Sequence, residues 1–136
     1  MDYPRFSESE LDRRRAALLG VLKHHDLDGV LVFGANRTGS AIQWLSEWPV
    51  TREASLVITP DARDAMWVQF YTHLPNAPRL ARRCDVVWDG PRTWLAAGQA
   101  LQARGARKNG IVGPDGWKAH AGLTEMFDLV VGLDAE

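Results

Sequence analysis

The sequence predicts a three-layer α/β domain, with a mixed sheet of about six strands flanked by helices. Three observations carry this reading. Short apolar runs alternate with stretches of helical periodicity, the pattern of strands covered by helices on both faces. Midway, two such runs are separated only by Pro60-Asp61-Ala62-Arg63-Asp64, whose turn chemistry makes them an antiparallel hairpin. Finally, 136 residues at 46% hydrophobic and 24% charged are one domain's worth of ordinary globular chain. Residues 1–136 therefore read as a single domain, without internal repeat, low-complexity tract or linker.

The elements follow in order. Ser7 with Glu10 three residues on is a capping-box pattern that opens a helix. Leu11, Leu18, Val21, Leu22 and His25 fall on one face of it, and Asp12, Arg13, Lys23 and Asp26 on the other. Arg13-Arg14-Arg15 point different ways around that helix and read as a solvated surface. Asp28-Gly29 turns the chain into Val30-Leu31-Val32-Phe33, a strand apolar on both faces. Residues 34–40 are a loop, and 41–48 a short helix stopped by Pro49. Strands are expected at 55–59, 65–70 and 85–88, while Pro75 and Pro78 interrupt any long helix in 71–84. Trp94, Ala97, Gly98 and Leu101 keep helical spacing, and Gly105 stands where that helix would stop. A fifth strand is expected at 110–113. A helix over 115–127 turns Ala119, Leu123, Met126 and Phe127 inward despite Gly116 and Gly122. A sixth strand covers 129–131.

Several function classes are excluded or weakened by the same residues. Sixteen basic against seventeen acidic residues give a net charge of -1, and no strong electrostatic pull toward nucleic acid or an anionic membrane follows from that balance. No run approaches the roughly 20 apolar residues of a membrane span. Cys84 is the only cysteine, which fits a reducing cytoplasm and excludes an internal disulfide. Its place before an apolar strand favours an inert thiol over one activated by Arg82-Arg83. The loop 34–40 has two glycines but Ser40 where a phosphate-binding loop needs lysine. His24, His25, His73 and His120 lack partners at metal-ligand spacing, and no nucleophile elbow is present. The chain holds no complete catalytic or metal set. Most of its six tryptophans are expected in the core.

The most distinctive stretch is Ala41-Ile42-Gln43-Trp44-Leu45-Ser46-Glu47-Trp48-Pro49-Val50-Thr51-Arg52-Glu53-Ala54-Ser55. It resembles the tyrosine-leucine-threonine-glycine-phenylalanine segment of the creatinase, prolidase and aminopeptidase P family, which leads through an arginine into the second strand. Here Trp44 replaces tyrosine, Ser46 threonine, Glu47 glycine and Trp48 phenylalanine. The arginine-rich opening helix, the Asp28-Gly29-Val30-Leu31-Val32 strand and the Gly110-Ile111-Val112-Gly113 strand extend the resemblance over the whole chain.

The resemblance implies a ribonuclease H-like fold and a non-catalytic role for this chain as the family's N-terminal domain. It implies a following catalytic domain, absent from this sequence, that holds two divalent metal ions (manganese, cobalt or zinc). The parent would then be a hydrolase of Xaa-Pro peptides, creatine or related small amides, and a homodimer. Its N-terminal domain would help form the oligomer and the substrate entrance of the partner subunit. On that basis Trp48, Arg52, Trp44 and Glu53 are the candidate substrate or interface residues. Arg52 suits a substrate carboxylate and Trp48 a proline or methyl group. The structural alternative is that Arg52 pairs with Glu53 or Glu47 on the surface while Trp48 caps the core. The alternative for the whole chain is a free-standing α/β module that binds a small ligand or regulates a partner.

Overall fold

The computed structural model describes residues 7–34, 42, 44–45, 53–69, 84–90, 92–112 and 117–133, with the backbone alone given for 117–121. The elements are α1 (Glu8–His24), β1 (Gly29–Gly34), β2 (Ala54–Ile58), β3 (Asp64–Val68), β4 (Cys84–Val87), α2 (Thr93–Ala103), β5 (Lys108–Val112), α3 (Trp117–Met126) and β6 (Leu129–Gly132). Ile42, Trp44 and Leu45 are helical, between β1 and β2. The rest of the 34–40 loop, Pro49, Trp48, Arg52 and residues 70–83 lie outside the described residues.

The sheet has six strands in the order β4-β3-β2-β1-β5-β6. β2 pairs antiparallel with both β1 and β3. The pairs β3–β4, β1–β5 and β5–β6 are parallel. Five strands thus run one way and β2 alone runs against them. The hairpin expected from the turn residues is β2–β3, in the register Ala54 to Val68 and Val57 to Ala65.

Strand alternation builds two cores. Val30, Val32, Leu56, Ile58, Met66 and Val68 face Leu22 of α1 with Leu18 and Val21 beside it. Leu31, Val57, Ala65 and Trp67 face Ala97 and Leu101 of α2 and Leu123 of α3. Helix, sheet and helices make the three layers. Leu31 and Val57 are at most 1% exposed, and burying side chains of this size contributes about 1.5–3 kcal/mol each.

The helix ends follow local chemistry. The Ser7 hydroxyl accepts from the Glu10 backbone N–H at 3.1 Å and caps α1. Gly105, with φ +78, takes the left-handed turn after α2. Gly98 and Gly122 let α2 and α3 approach closely. A Cβ on Gly98 would sit 2.8 Å from Leu123 Cδ2, and one on Gly122 would sit 2.7 Å from the Trp94 ring.

The arginine run departs from expectation. Arg13 is exposed, but Arg14 is 6% exposed and belongs to the interior of the fold. Arg15 is half-buried and makes a paired contact with Asp64, its Nε and Nη2 donating to the carboxylate at 3.0 Å. Arg14 and Arg15 each meet a partner brought up by a different element, Trp44 and Asp64, which rotation about the helix makes possible rather than prevents.

Candidate functional site

Because five strands are codirectional, Gly34, Val68, Val87, Val112 and Gly132 end along one edge of the sheet, where β2 begins at Ala54. Open α/β sheets place their ligands and interfaces at the carboxyl ends of the strands. Two candidate residues are described at this edge. Trp44 lies in the connection from β1 to β2, and Glu53 directly precedes β2.

Glu53 is built into the end of α2. That helix begins at Thr93, and Arg92 before it offers no capping side chain. The Glu53 carboxylate takes over: the Thr93 backbone N–H donates to Oε2 at 2.8 Å, and the Thr93 hydroxyl donates to the same oxygen at 2.6 Å. Ser55 Oγ, 2.9 Å from Thr93 Oγ1, must then donate to it, since that hydroxyl's proton is already committed. A carboxylate at a helix N-terminus also meets the positive end of the helix dipole. The Glu53 N–H reaches Gln69 Oε1 at 3.4 Å, and the Trp88 indole N–H donates to the Gln69 carbonyl at 3.1 Å. Gln69 so links the start of β2 to the end of β4.

Trp44 is 40% exposed. The Arg14 guanidinium stands 5.0 Å from the centre of its ring, and Arg14 Nη1 donates to the Trp44 carbonyl at 2.7 Å. Arg14 Nε donates to Glu10 Oε1 at 3.0 Å. Glu10 also receives a forked pair from Arg13, at 2.9 and 2.7 Å. The hydrogen bonds from Arg13 and then Arg14 hold the Glu10 carboxyl down to about 2. Next to this cluster, Leu18, Val21, Val32, Trp44, Val112 and Leu133 line an apolar cleft of about 170 Å³.

The opposite edge of the sheet is a structural clasp. Arg15 Nη2 donates to the Thr59 carbonyl at 3.1 Å from the α1 side. Arg104 Nη1 donates to the Thr59 hydroxyl at 3.0 Å from the α2 side, and its Nη2 to the Arg63 carbonyl at 2.7 Å. Asp28 Oδ2 accepts from the backbone N–H groups of Arg107 and Lys108 at 2.9 and 3.0 Å. Those bonds, Lys108 first, hold the Asp28 carboxyl below the usual range.

Cys84 is buried, and burial pushes its thiol up to about 12, with the Asp64 carboxylate adding to the effect. That is the inert cysteine its position before the strand suggested. Among the described residues no group of three His, Cys, Asp or Glu could hold a metal ion. None of their helices is long and apolar enough to cross a membrane. Trp67 is in the core and Trp94 half-buried, but Trp44 and Trp88 show 40% and 43% of their surface, more than core packing alone would leave. The structure thus brings Trp44 and Glu53 to one edge without joining them, and Trp48 and Arg52 lie outside the described residues. The Arg14–Glu10 pair beside Trp44 was missed in the sequence; its one local signal was the four-residue spacing of Glu10 and Arg14.

No protein-family model matches the chain, and neither does any curated protein. Solved structures do match. An aminopeptidase P, an Xaa-Pro aminopeptidase from Streptococcus thermophilus, is similar over 90% of this chain and 91% of its own, with a TM-score of 0.71 at 15% identity. The creatinase/prolidase N-terminal domain of an X-Pro dipeptidase from Streptococcus pyogenes is similar over 95% and 96%, with a TM-score of 0.64 at 16% identity. The Xaa-Pro dipeptidase from Bacillus anthracis is similar over 90% of this chain, with a TM-score of 0.73 at 13% identity, but this chain spans only 33% of it.

Proposed function

Sharing the fold of creatinase/prolidase N-terminal domains end to end, this chain is, we propose, the non-catalytic N-terminal domain of a cytoplasmic, metal-dependent hydrolase of Xaa-Pro peptides or related small amides. Its own 136 residues form one domain, and a catalytic domain follows it in the parent protein. The observation that carries this is coverage. The chain fills 96% of a free N-terminal domain of this kind but 33% of a longer Xaa-Pro dipeptidase, the remainder of which matches nothing here. The two divalent metal ions belong to that further domain. This domain's task is to build the homodimer and to border the partner's substrate entrance; the candidate residues are Trp44 and Glu53, which the structure describes at one sheet edge, and Trp48 and Arg52, which the sequence resemblance adds. Guanidinium and indole are suited to this: one forks onto a substrate carboxylate, and the other packs a proline ring.

The test is made on the parent protein. Reading the gene past the codon for Glu136 must give a domain with two aspartates, a histidine and two glutamates as metal ligands. With manganese, cobalt or zinc added, that protein must hydrolyse Xaa-Pro dipeptides, creatine or a related small amide. Arg52→Ala should lower kcat/KM by about tenfold, equivalent to about 1.4 kcal/mol, with the melting temperature unchanged. A reading frame without those ligands, or metal-dependent turnover by the 136-residue chain alone, would overturn the assignment.

A further inference from the structure

Both residues of the pair Asn109-Gly110 are called for by the packing of β5, and their adjacency creates a chemical hazard. At Gly110 a Cβ would run into the buried Leu133 side chain. Asn109 is 0% exposed, and its Nδ2 donates to the Ala106 carbonyl at 3.1 Å, tying the turn after α2 to the strand. Its Oδ1 has no hydrogen-bond partner among the described residues. A Cβ placed on Gly29 would stand 3.1 Å from that oxygen, 2.9 Å from Thr59 Cγ2 and 3.0 Å from Leu101 Cδ2, so the oxygen sits beside methyl groups. No other Asn-Gly pair occurs in the sequence, since Asn36 precedes arginine and Asn76 alanine. Before glycine an asparagine is most open to attack by the next amide nitrogen, because no Cβ stands in the way.

We propose that Asn109-Gly110 is a deamidation site that the folded sheet keeps closed and that unfolding opens, so that the domain acquires a covalent record of having been unfolded. The proposal is independent of what the parent enzyme hydrolyses. In the open chain the Gly110 nitrogen gives up its proton and attacks Asn109 Cγ. The Cγ–Nδ2 bond breaks, ammonia leaves with that proton, and a five-membered succinimide remains. Water then opens the ring: cleavage at Cγ gives aspartate, and cleavage at the Asn109 backbone carbonyl carbon gives isoaspartate. Nothing is oxidised or reduced. In the sheet the attack is blocked. The Lys108 carbonyl accepts from the Asp28 N–H on the β1 side, and the Ile111 carbonyl from the Leu133 N–H on the β6 side. Successive residues of a strand paired on both sides turn to opposite neighbours, so Gly110 gives its N–H to β1, where it pairs with Val30. Either product is then a poor fit for the native strand. Aspartate sets an oxygen against the Ala106 carbonyl where Nδ2 had donated, and buries a charge beside the Thr59 and Leu101 methyl groups. Isoaspartate adds a backbone carbon and throws the rest of β5 out of register with β1 and β6.

The test holds the 136-residue chain at one alkaline pH and one temperature, in buffer and in guanidinium chloride. Peptide mapping by mass spectrometry locates the amide-to-acid change, which isomerisation at Asp28-Gly29, Asp89-Gly90 and Asp115-Gly116 does not produce. In denaturant, conversion at Asn109 should outrun that at Asn36 and Asn76. In buffer it should fall at least about a hundredfold, because roughly one molecule in a thousand or fewer of a folded domain is open. Equal rates in the two conditions, or no lead for Asn109 in denaturant, overturn the proposal. Gly110→Ala, compared in denaturant so that its folding does not matter, should slow conversion severalfold, and an unchanged rate overturns the route through Gly110. After return to buffer, only the unconverted chains should regain the native circular dichroism and melting temperature. Asn109→Asp makes one product directly and should melt well below wild type or fail to fold. Converted chains, or Asn109→Asp, melting as wild type does would overturn the proposal.

Discussion

Replacing Glu53 by alanine should destabilise the domain through a helix that starts forty residues later. Its carboxylate is the cap that α2 lacks locally, taking the Thr93 N–H at 2.8 Å and the Thr93 hydroxyl at 2.6 Å. Without it the hydroxyl can turn to Ser55, 2.9 Å away, so that bond is largely recovered. Among the described residues the N–H has no such second choice, and Thr93 is wholly buried. A buried donor left without an acceptor costs about 1–3 kcal/mol, and loss of a helix N-cap costs about 1 kcal/mol. These describe the same N–H and do not add. The lost charge at the helix terminus adds roughly 0.3–1 kcal/mol. The expected total is about 2 kcal/mol, or about 6–8 °C in melting temperature for a domain of this size. Glu53→Gln keeps an acceptor and should lose about half as much. Thermal and urea unfolding followed by circular dichroism measure both, with the exposed Glu125→Ala as control. If Glu53→Ala melts within about 1 °C of wild type, the capping argument fails. A loss of activity in the parent at that unchanged stability would instead mean that the carboxylate serves substrate.

The other expectations concern separate parts of the fold. Cys84, with its thiol pushed up to about 12, should resist iodoacetamide at pH 8 in the folded chain and react at once in urea; rapid labelling of the folded protein would contradict its burial. Gly122→Ala should destabilise by about 1–3 kcal/mol, because the new methyl meets the rigid Trp94 ring at 2.7 Å; Trp94→Leu in the same chain should recover part of that loss. Glu10 has its folded pKa drawn down to about 2, below the roughly 4.3 of an unperturbed glutamate. Its contribution is present above pH ~4.3 and is lost as the pH falls toward 2. Unfolding measured across that window should show a slope that Glu10→Gln reduces; an identical slope would remove Glu10 from the acid response.

What could be read from the sequence was whatever the chain settles within a few residues. The apolar run at 30–33, the turn between β2 and β3 and the stop at Gly105 all appear where short-range rules put them. Residues whose partners are distant were read wrongly or not at all. Arg14 and Arg15 looked like solvated surface because Trp44 and Asp64 stand 30 and 49 positions away. Asp64 read as turn, yet it opens β3 as the carboxylate that receives Arg15. A local search for the cap of α2 stops at Arg92 and finds none, since Glu53 comes from the other end of a strand. Gly122 argued against a helix, and the reason it is tolerated is a tryptophan on the neighbouring helix. At the candidate edge, the sequence supplied Trp44 and Glu53 but not what holds them.

Adjacent arginines with different destinations also restrict how this gene can change. Arg14 is committed to Trp44 and Arg15 to Asp64, while Leu22 further along α1 is committed to the core. A helix turns about 100° per residue. An in-frame loss of a single codon between positions 16 and 21 would leave composition, charge and amphipathic character almost unaltered. It would nevertheless swing both guanidinium groups a quarter-turn away from their partners while Leu22 stayed in place. The opening helix can therefore drift freely in spelling at its outer positions but not in length, and homologues should differ there by substitution and not by gaps.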